Sequence, residues 1–212
     1  MIREGYLFSA PPLVAGLALL ALNRLVFENA TWLNWVAGIC IFLGVFVLYF
    51  FRDPQRVIPE DPAAVVSPAD GRVVEIVEEA WEGRPGRRIS IFLAVWDVHV
   101  QRAPVAGAIR RVDYRPGKFF AAMRARASVE NEQNVFTIAT PRGDIMFKQI
   151  AGWIARRVVN WKAAGDAVTR GERVGMIRFG SRVDVWLPPE AEITVRKGQH
   201  VAGGSDILAR WP

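Results

Sequence analysis

The chain has 212 residues, 51% of them hydrophobic, with a formal net charge of +6 and a single cysteine. That length accommodates one folded domain plus an appendage, and the lone Cys40, set in an apolar run, excludes a disulfide framework and any cysteine-built metal site. Residues 1–51 carry only Arg3, Glu4, Arg24 and Glu28, so the whole positive excess falls on the rest of the chain, which reads as a separate, basic unit.

Two apolar runs come first, from about Tyr6 to Leu22 and from Trp32 to Phe51. The second is twenty residues without a charge, long enough to cross a bilayer as a helix, with Trp32, Trp35 and Tyr49 placed as interfacial anchors. No small-residue cleavage site follows the first run, which argues against a removable signal peptide. A helical hairpin buried in a soluble fold is the other reading of these residues. Pro11-Pro12 predict an irregular start to the first helix. Arg52 and Arg56, directly after the second run, predict a cytoplasmic location for the remainder of the chain.

Residues 52–63 are a proline-punctuated linker, and a soluble domain is predicted over 64–212. Its text is mostly β. Val65-Val66, Arg72 to Val77, Arg88 to Val95 and Val98 to Arg102 are short strand patterns divided by Gly, Pro and Asp. Lys118 to Arg126 is the best helix candidate, with Phe119, Phe120 and Met123 on one side; it reads as an amphipathic core helix, or else as a lipid-contacting one. Val135 to Ala139 and Asp144 to Ile150 predict a hairpin around Thr140-Pro141-Arg142-Gly143. The run from Trp153 to Trp161 mixes aromatics with Arg156 and Arg157, and fits a connection with solvated arginines or a surface facing phospholipid headgroups.

Gly165-x-x-Val168-x-x-Gly171-x-x-Val174 recurs 33 residues later as Gly198-x-x-Val201-x-x-Gly204-x-x-Ile207. With Ser67-Pro68-Ala69-Asp70-Gly71, these glycine-bounded hairpins resemble the turns of lipoyl-like barrel-sandwich folds. The predicted fold is therefore mainly β (α+β): a compact antiparallel barrel-sandwich-like domain with few helices, behind an N-terminal hydrophobic helical hairpin. His200, in the second repeat among polar neighbours, reads as a solvated turn residue. The basic residues are 23 Arg against only Lys118, Lys148, Lys162 and Lys197. A planar guanidinium fork suits phosphate, and beside an apolar N-terminus an anionic membrane surface is a better partner than nucleic acid.

The organising stretch runs from Ile177 to Pro188: strand-like alternation of Val183, Val185 and Leu187 with Arg182, Asp184 and Trp186, interrupted by Gly180-Ser181. By itself that dipeptide reads as a β-bulge or tight bend. Its company changes the reading. Together with Phe51-Arg52-Asp53-Pro54, Val66-Ser67-Pro68-Ala69-Asp70-Gly71 and Asp97-Val98-His99-Val100-Gln101-Arg102-Ala103-Pro104, it resembles the short, pyruvoyl-dependent phosphatidylserine decarboxylases of bacteria. The resemblance runs from Phe50 to the C-terminus, with the motifs in family order.

The resemblance implies a membrane-anchored proenzyme in a bacterial inner membrane. Such a chain cuts itself after Gly180 into residues 1–180 and 181–212, which stay together non-covalently. It implies that Ser181 becomes a pyruvoyl group, and that this group forms a Schiff base with phosphatidylserine and releases CO2 to give phosphatidylethanolamine. That covalent group would be the cofactor, with no metal and no diffusible coenzyme. Removing the carboxyl of an α-amino acid leaves a carbanion that no ordinary side chain can accept, so an electron sink of this kind is required. The resemblance places His99 as the base for the Ser181 hydroxyl and Asp70 as the group that orients it, the logic of a Ser-His-Asp constellation. Gly180 suits the cut because glycine tolerates strain and close approach. One departure is that well-known members carry Leu-Gly-Ser-Thr at the cut, where this chain has Phe179-Gly180-Ser181-Arg182. The sequence leaves open a homodimer, and a related seryl lipid as substrate. The rival reading is a membrane-anchored barrel-sandwich adaptor without catalysis, although the tip at Gly165-Asp166 lacks the modifiable Lys common in such carriers.

Overall fold

The computed structural model describes every residue except 28, 124–125, 154–156 and 179. The chain divides into two compact units, Met1–Pro54 and Gln55–Pro212. The first holds helices α1 (Arg3–Leu25) and α2 (Thr31–Phe50), both long and apolar enough to cross a membrane. Contrary to the irregular start predicted from Pro11-Pro12, α1 runs through both prolines. The reason is tertiary. A Cβ at Gly16 would stand 2.7 Å from Ile41 and 2.9 Å from the Ala37 carbonyl oxygen, and one at Gly44 would overlap Leu13. The two helices are so closely packed that the hydrogen bonds lost at proline do not break the first, a tolerance common in apolar helix pairs.

The second unit contains β1 (Ala64–Val66), β2 (Gly71–Glu78), β3 (Arg87–Leu93), β4 (Val100–Arg102), β5 (Gly107–Arg115), the short helix α3 (Ala127–Glu130), β6 (Gln133–Thr140), β7 (Gly143–Ala151), β8 (Val158–Asn160), β9 (Ala167–Val168), β10 (Arg173–Ile177), β11 (Ser181–Leu187), β12 (Glu192–Ile193), β13 (His200–Val201) and β14 (Ile207–Arg210). An eight-stranded sheet has the order β13-β2-β3-β11-β7-β6-β5-β9, and two three-stranded sheets have the orders β1-β14-β12 and β4-β10-β8. All pairings among them are antiparallel, as the mainly-β reading predicts. The glycine repeat is a backbone repeat: Gly165, Gly171, Gly198 and Gly204 take φ of +96°, +77°, +90° and +80°, a region closed to most side chains. The hairpin around Thr140–Gly143 is present as β6 and β7.

The helix predicted over Lys118 to Arg126 is absent from its described part; residues 124–125 lie outside the described residues. The backbone there is satisfied across the chain instead. Lys118 N–H donates to the Glu130 carbonyl (2.7 Å), Glu132 N–H to the Lys118 carbonyl (3.0 Å) and Phe120 N–H to Asn131 Oδ1 (2.9 Å). Pairing with residues 130–132 overrides local helix propensity, which is a weak determinant. Among the described residues of this segment, helix is confined to Ala127–Glu130.

β11 occupies the centre of the large sheet between β3 and β7, and all seven of its residues are buried. Val183, Val185 and Leu187 enter the main core, each contributing about 1.5–3 kcal/mol by burial. The opposite face is also covered, by a charge network. Arg182 Nε donates to Asp184 Oδ1 (2.6 Å), Ser128 Oγ donates to Asp184 Oδ2 (2.8 Å), and Arg88 reaches Glu75 (2.8 Å), Glu79 (2.9 Å) and Asp184 (3.9 Å). Burial works to lower the Arg88 pKa, but Asp184 and the two glutamates more than offset it, so the guanidinium is held above its usual range. Burial pushes the Lys148 ammonium down, with Asp184 pulling it back and Arg115 adding to the fall. Asp184, with no exposed surface, is thus the counter-charge of two buried arginines. Asp184→Ala should lower stability by about 3–5 kcal/mol, a fall in unfolding midpoint on the order of 10 °C by calorimetry or tryptophan emission. A fall of only a degree or two would show the network to be energetically idle.

Candidate active site

Gly180 is a bend, but one between two strands rather than inside one. β10 ends at Ile177 in one sheet and β11 begins at Ser181 in another, so the peptide bond between them lies where the chain crosses from sheet to sheet. Gly180 has φ +55°, in the left-handed region, and Ser181 is the first residue paired into β11, opposite Leu93 of β3 and Ala151 of β7. Ser181 is fully buried, and its hydroxyl has no hydrogen-bond partner among the described residues. An unsatisfied buried hydroxyl is costly, and such groups are concentrated where chemistry needs them.

The close approach expected at Gly180 is made on the other side. No described non-neighbouring atom lies within 4 Å of a Cβ built at Gly180, whereas a Cβ on Gly152 would overlap the Gly180 carbonyl oxygen. Gly152 directly follows β7, so the absence of its side chain sets how tightly the end of that strand covers the carbonyl. Asn131 secures the same corner: its Nδ2 donates to the carbonyls of Phe120 (2.8 Å) and Ala151 (2.7 Å).

His99 is almost fully buried. Its carbonyl accepts from Ile177 N–H (3.2 Å), which ties it to the strand leading into Gly180. Its Nδ1 lies 2.9 Å from the Asp97 carbonyl oxygen. A carbonyl only accepts, so Nδ1 carries a proton, and in the neutral ring the lone pair is then on Nε2, the tautomer of a general base. Asp97 is itself fixed: its carboxylate accepts from Ala94 N–H (2.8 Å) and meets His200 Nε2 (3.0 Å). His200 is thus exposed, as its polar neighbours predict, but not merely solvated.

Asp70 sits in the turn between β1 and β2. Its carboxylate takes both oxygens to Arg56 Nη2 (2.7 and 2.8 Å), and Oδ1 also accepts from Gly203 N–H (2.8 Å). The preceding Pro68 carbonyl accepts from Arg102 N–H (2.9 Å), three residues past His99. The segment from His99 through β4 thus joins β10 and the turn that carries Asp70, while the hydrogen bonds of the Asp70 carboxylate go to Arg56 and Gly203. Sequence reasoning missed Asp97, Gly152, Asn131 and Arg56; only Asp97, two residues before the histidine, carried any local signal. Arg182 points to the face away from Val183 and Val185, where the charge network absorbs it. The departure at that position therefore serves the sheet. No group of three or more His, Cys, Asp or Glu that could hold a metal converges among the described residues. A cavity of about 510 Å³ lined by Ile58, Val105, Arg142, Arg170 and Trp211 includes neither Ser181 nor His99.

Residues 43–209 match the family model described as phosphatidylserine decarboxylase. Among the similar curated proteins, a phosphatidylserine decarboxylase proenzyme of Solibacter usitatus is 52% identical over 85% of this chain and 89% of its own length. One from Symbiobacterium thermophilum is 42% identical over 99% and 95%, and one from Burkholderia cenocepacia 45% over 98% and 94%.

Proposed function

Since this chain belongs to the phosphatidylserine decarboxylase family, we propose that it is a proenzyme that cuts its own backbone after Gly180 and then converts phosphatidylserine to phosphatidylethanolamine and CO2. The observation that carries the reading is Ser181 itself: a buried hydroxyl, unpartnered among the described residues, beside a peptide bond that follows a positive-φ glycine. Water is excluded there, which favours attack by the neighbouring hydroxyl over hydrolysis.

In this scheme His99 Nε2 takes the Ser181 proton as Oγ adds to the Gly180 carbonyl carbon. The C–N bond breaks, the proton passes to the departing amine, and the peptide bond has become an ester. Loss of the Ser181 Cα proton then expels the Gly180 carboxylate, ending chain 1–180 and leaving dehydroalanine at residue 181. Water adds to its imine tautomer, ammonia leaves, and a pyruvoyl ketone heads chain 181–212. The residues fit this group: Ser181 lies at the very start of β11, so the new terminus stays paired between β3 and β7 after the cut. The ketone supplies the carbonyl that condenses with the substrate amine and accepts the electron pair as CO2 departs. His99 then holds the proton returned to the product Cα. Asp70 orients the constellation from its turn, and Asp97 holds the histidine tautomer. No metal or diffusible cofactor enters.

Residues 1–51 act as a membrane-embedded hairpin and 52–63 as a linker, with catalysis in 64–212. The chain resides in the inner membrane with its catalytic domain on the cytoplasmic face, as Arg52 and Arg56 after the second helix favour. Its partners are the anionic membrane surface and its own two fragments, held non-covalently.

Intact mass under denaturing conditions tests this. Two fragments split after Gly180, the smaller with a pyruvoyl-blocked terminus, are expected together with CO2 release from phosphatidylserine. One uncut chain and no CO2 would overturn the reading and leave the adaptor module in its place.

A further inference from the structure

Three segments border the buried Ser181. One follows β3, whose last residue, Leu93, pairs with Ser181 and leads into Trp96. A second follows β7, whose last residue, Ala151, also pairs with Ser181 and leads into Trp153. The third is the turn at Ala122-Met123, whose Ala122 Cβ lies 3.4 Å from a Cβ built at Gly152. Each presents one large apolar side chain to solvent: Trp96 is 64% exposed, Trp153 73% and Met123 70%. Elsewhere in this unit Trp186 is 5% and Trp211 8% exposed, and Trp161 at 36% is about half as exposed as Trp96 and Trp153. Large apolar side chains exposed together at one end of a sheet mark an interaction surface.

The charge of the rim indicates what does. Arg126 and Arg157 are exposed on the same segments, and the Arg126 guanidinium lies 3.9 Å over the Phe120 ring. The acidic groups nearby are already engaged: Glu130 by Lys118 (2.9 Å), Asp97 by His200, and buried Glu132 by Val158 N–H (3.1 Å). Tryptophan beside exposed arginine is the chemistry of a bilayer interface carrying anionic lipid. We propose that Trp96, Met123 and Trp153 form a docking rim that inserts into the headgroup region of an anionic bilayer, so that a phospholipid headgroup passes onto the site while its tails stay in the membrane. This rests on the lipid-decarboxylase reading.

The test uses the full chain in vesicles of phosphatidylcholine and phosphatidylserine. With phosphatidylcholine brominated near the headgroup, the emission removed by Trp96→Phe plus Trp153→Phe should be a quenched component. If the emission removed is unquenched, the rim does not insert and the proposal is overturned, whatever the activity. In parallel, turnover of vesicle-borne phosphatidylserine is compared with that of a short-chain, monomeric phosphatidylserine in the Trp96→Ser, Met123→Ser, Trp153→Ser variant. The vesicle-to-monomer ratio should fall at least about tenfold. A parallel fall on both substrates, or no change on either, would overturn the docking role. Wild-type protein that releases CO2 from neither substrate would defeat the decarboxylase reading alone, and the quenching result would still decide docking.

Discussion

Ser181→Ala should leave a single 212-residue chain that releases no detectable CO2, while its unfolding midpoint stays the same or rises. The two halves of that outcome come from one atom. Loss of a nucleophile that acts as a unit with its base costs on the order of a millionfold in rate. The same hydroxyl makes no hydrogen bond to any described residue, so deleting it removes a desolvation penalty of about 1–3 kcal/mol and breaks nothing. His99→Gln separates the base from the nucleophile. Cleavage should slow by about 10²–10⁴-fold, the usual worth of a positioned general base, and mass spectrometry over time would show the uncut chain draining slowly into two fragments. A Ser181→Ala protein that still splits after Gly180, or a His99→Gln protein that splits at the wild-type rate, would remove these residues from the chemistry.

Gly152→Ala should impair self-cleavage more than Gly180→Ala does, although Gly180 belongs to the scissile bond and Gly152 is 28 residues away in sequence. At Gly180 a methyl group meets no described non-neighbouring atom, and the penalty is the left-handed conformation at φ +55°, about 1–2 kcal/mol. At Gly152 the backbone is open to any residue, but the added methyl overlaps the Gly180 carbonyl oxygen. One of the two must move, and the moving group is the electrophile. A displacement of about 1 Å at a reacting centre costs on the order of a hundredfold, so cleavage of Gly152→Ala should be slower than wild type by at least about that factor. Time courses of intact mass for the two variants side by side decide the order. If Gly180→Ala proves the slower, the close approach at Gly152 has no part in placing the carbonyl.

Features legible in the sequence are local in the chain. Strand alternation around Val183, Val185 and Leu187 follows from a two-residue period. The turns at Gly165, Gly171, Gly198 and Gly204 follow from a residue that alone adopts positive φ cheaply. The two apolar runs follow from length and composition. Ser181, His99 and Asp70 stand out because each sits in a contiguous motif. Features misread or unseen depend on partners far away in sequence. Phe119, Phe120 and Met123 have helical spacing, but the backbone there is claimed by residues 130–132. Pro11 and Pro12 should disturb a helix, but a second helix packs against it. Arg182 and Asp184 alternate as if solvated, yet Arg88, Ser128 and Glu75 bury them.

Sequence by itself determined that this chain carries an apolar hairpin, a glycine-punctuated β unit and a Gly-Ser pair in the company of one histidine and one aspartate. Only the tertiary structure decided that the Gly-Ser bond falls at a crossing between two sheets, that Gly152 covers its carbonyl, and that the Asp97 carbonyl selects the histidine tautomer. The difference has one physical cause. Backbone preference and hydrophobic period act between residues a few positions apart, whereas the environment of a reactive atom is set by whichever strands the antiparallel pairing brings beside it. For Ser181 those neighbours are Leu93 and Ala151, one 88 and the other 30 residues away.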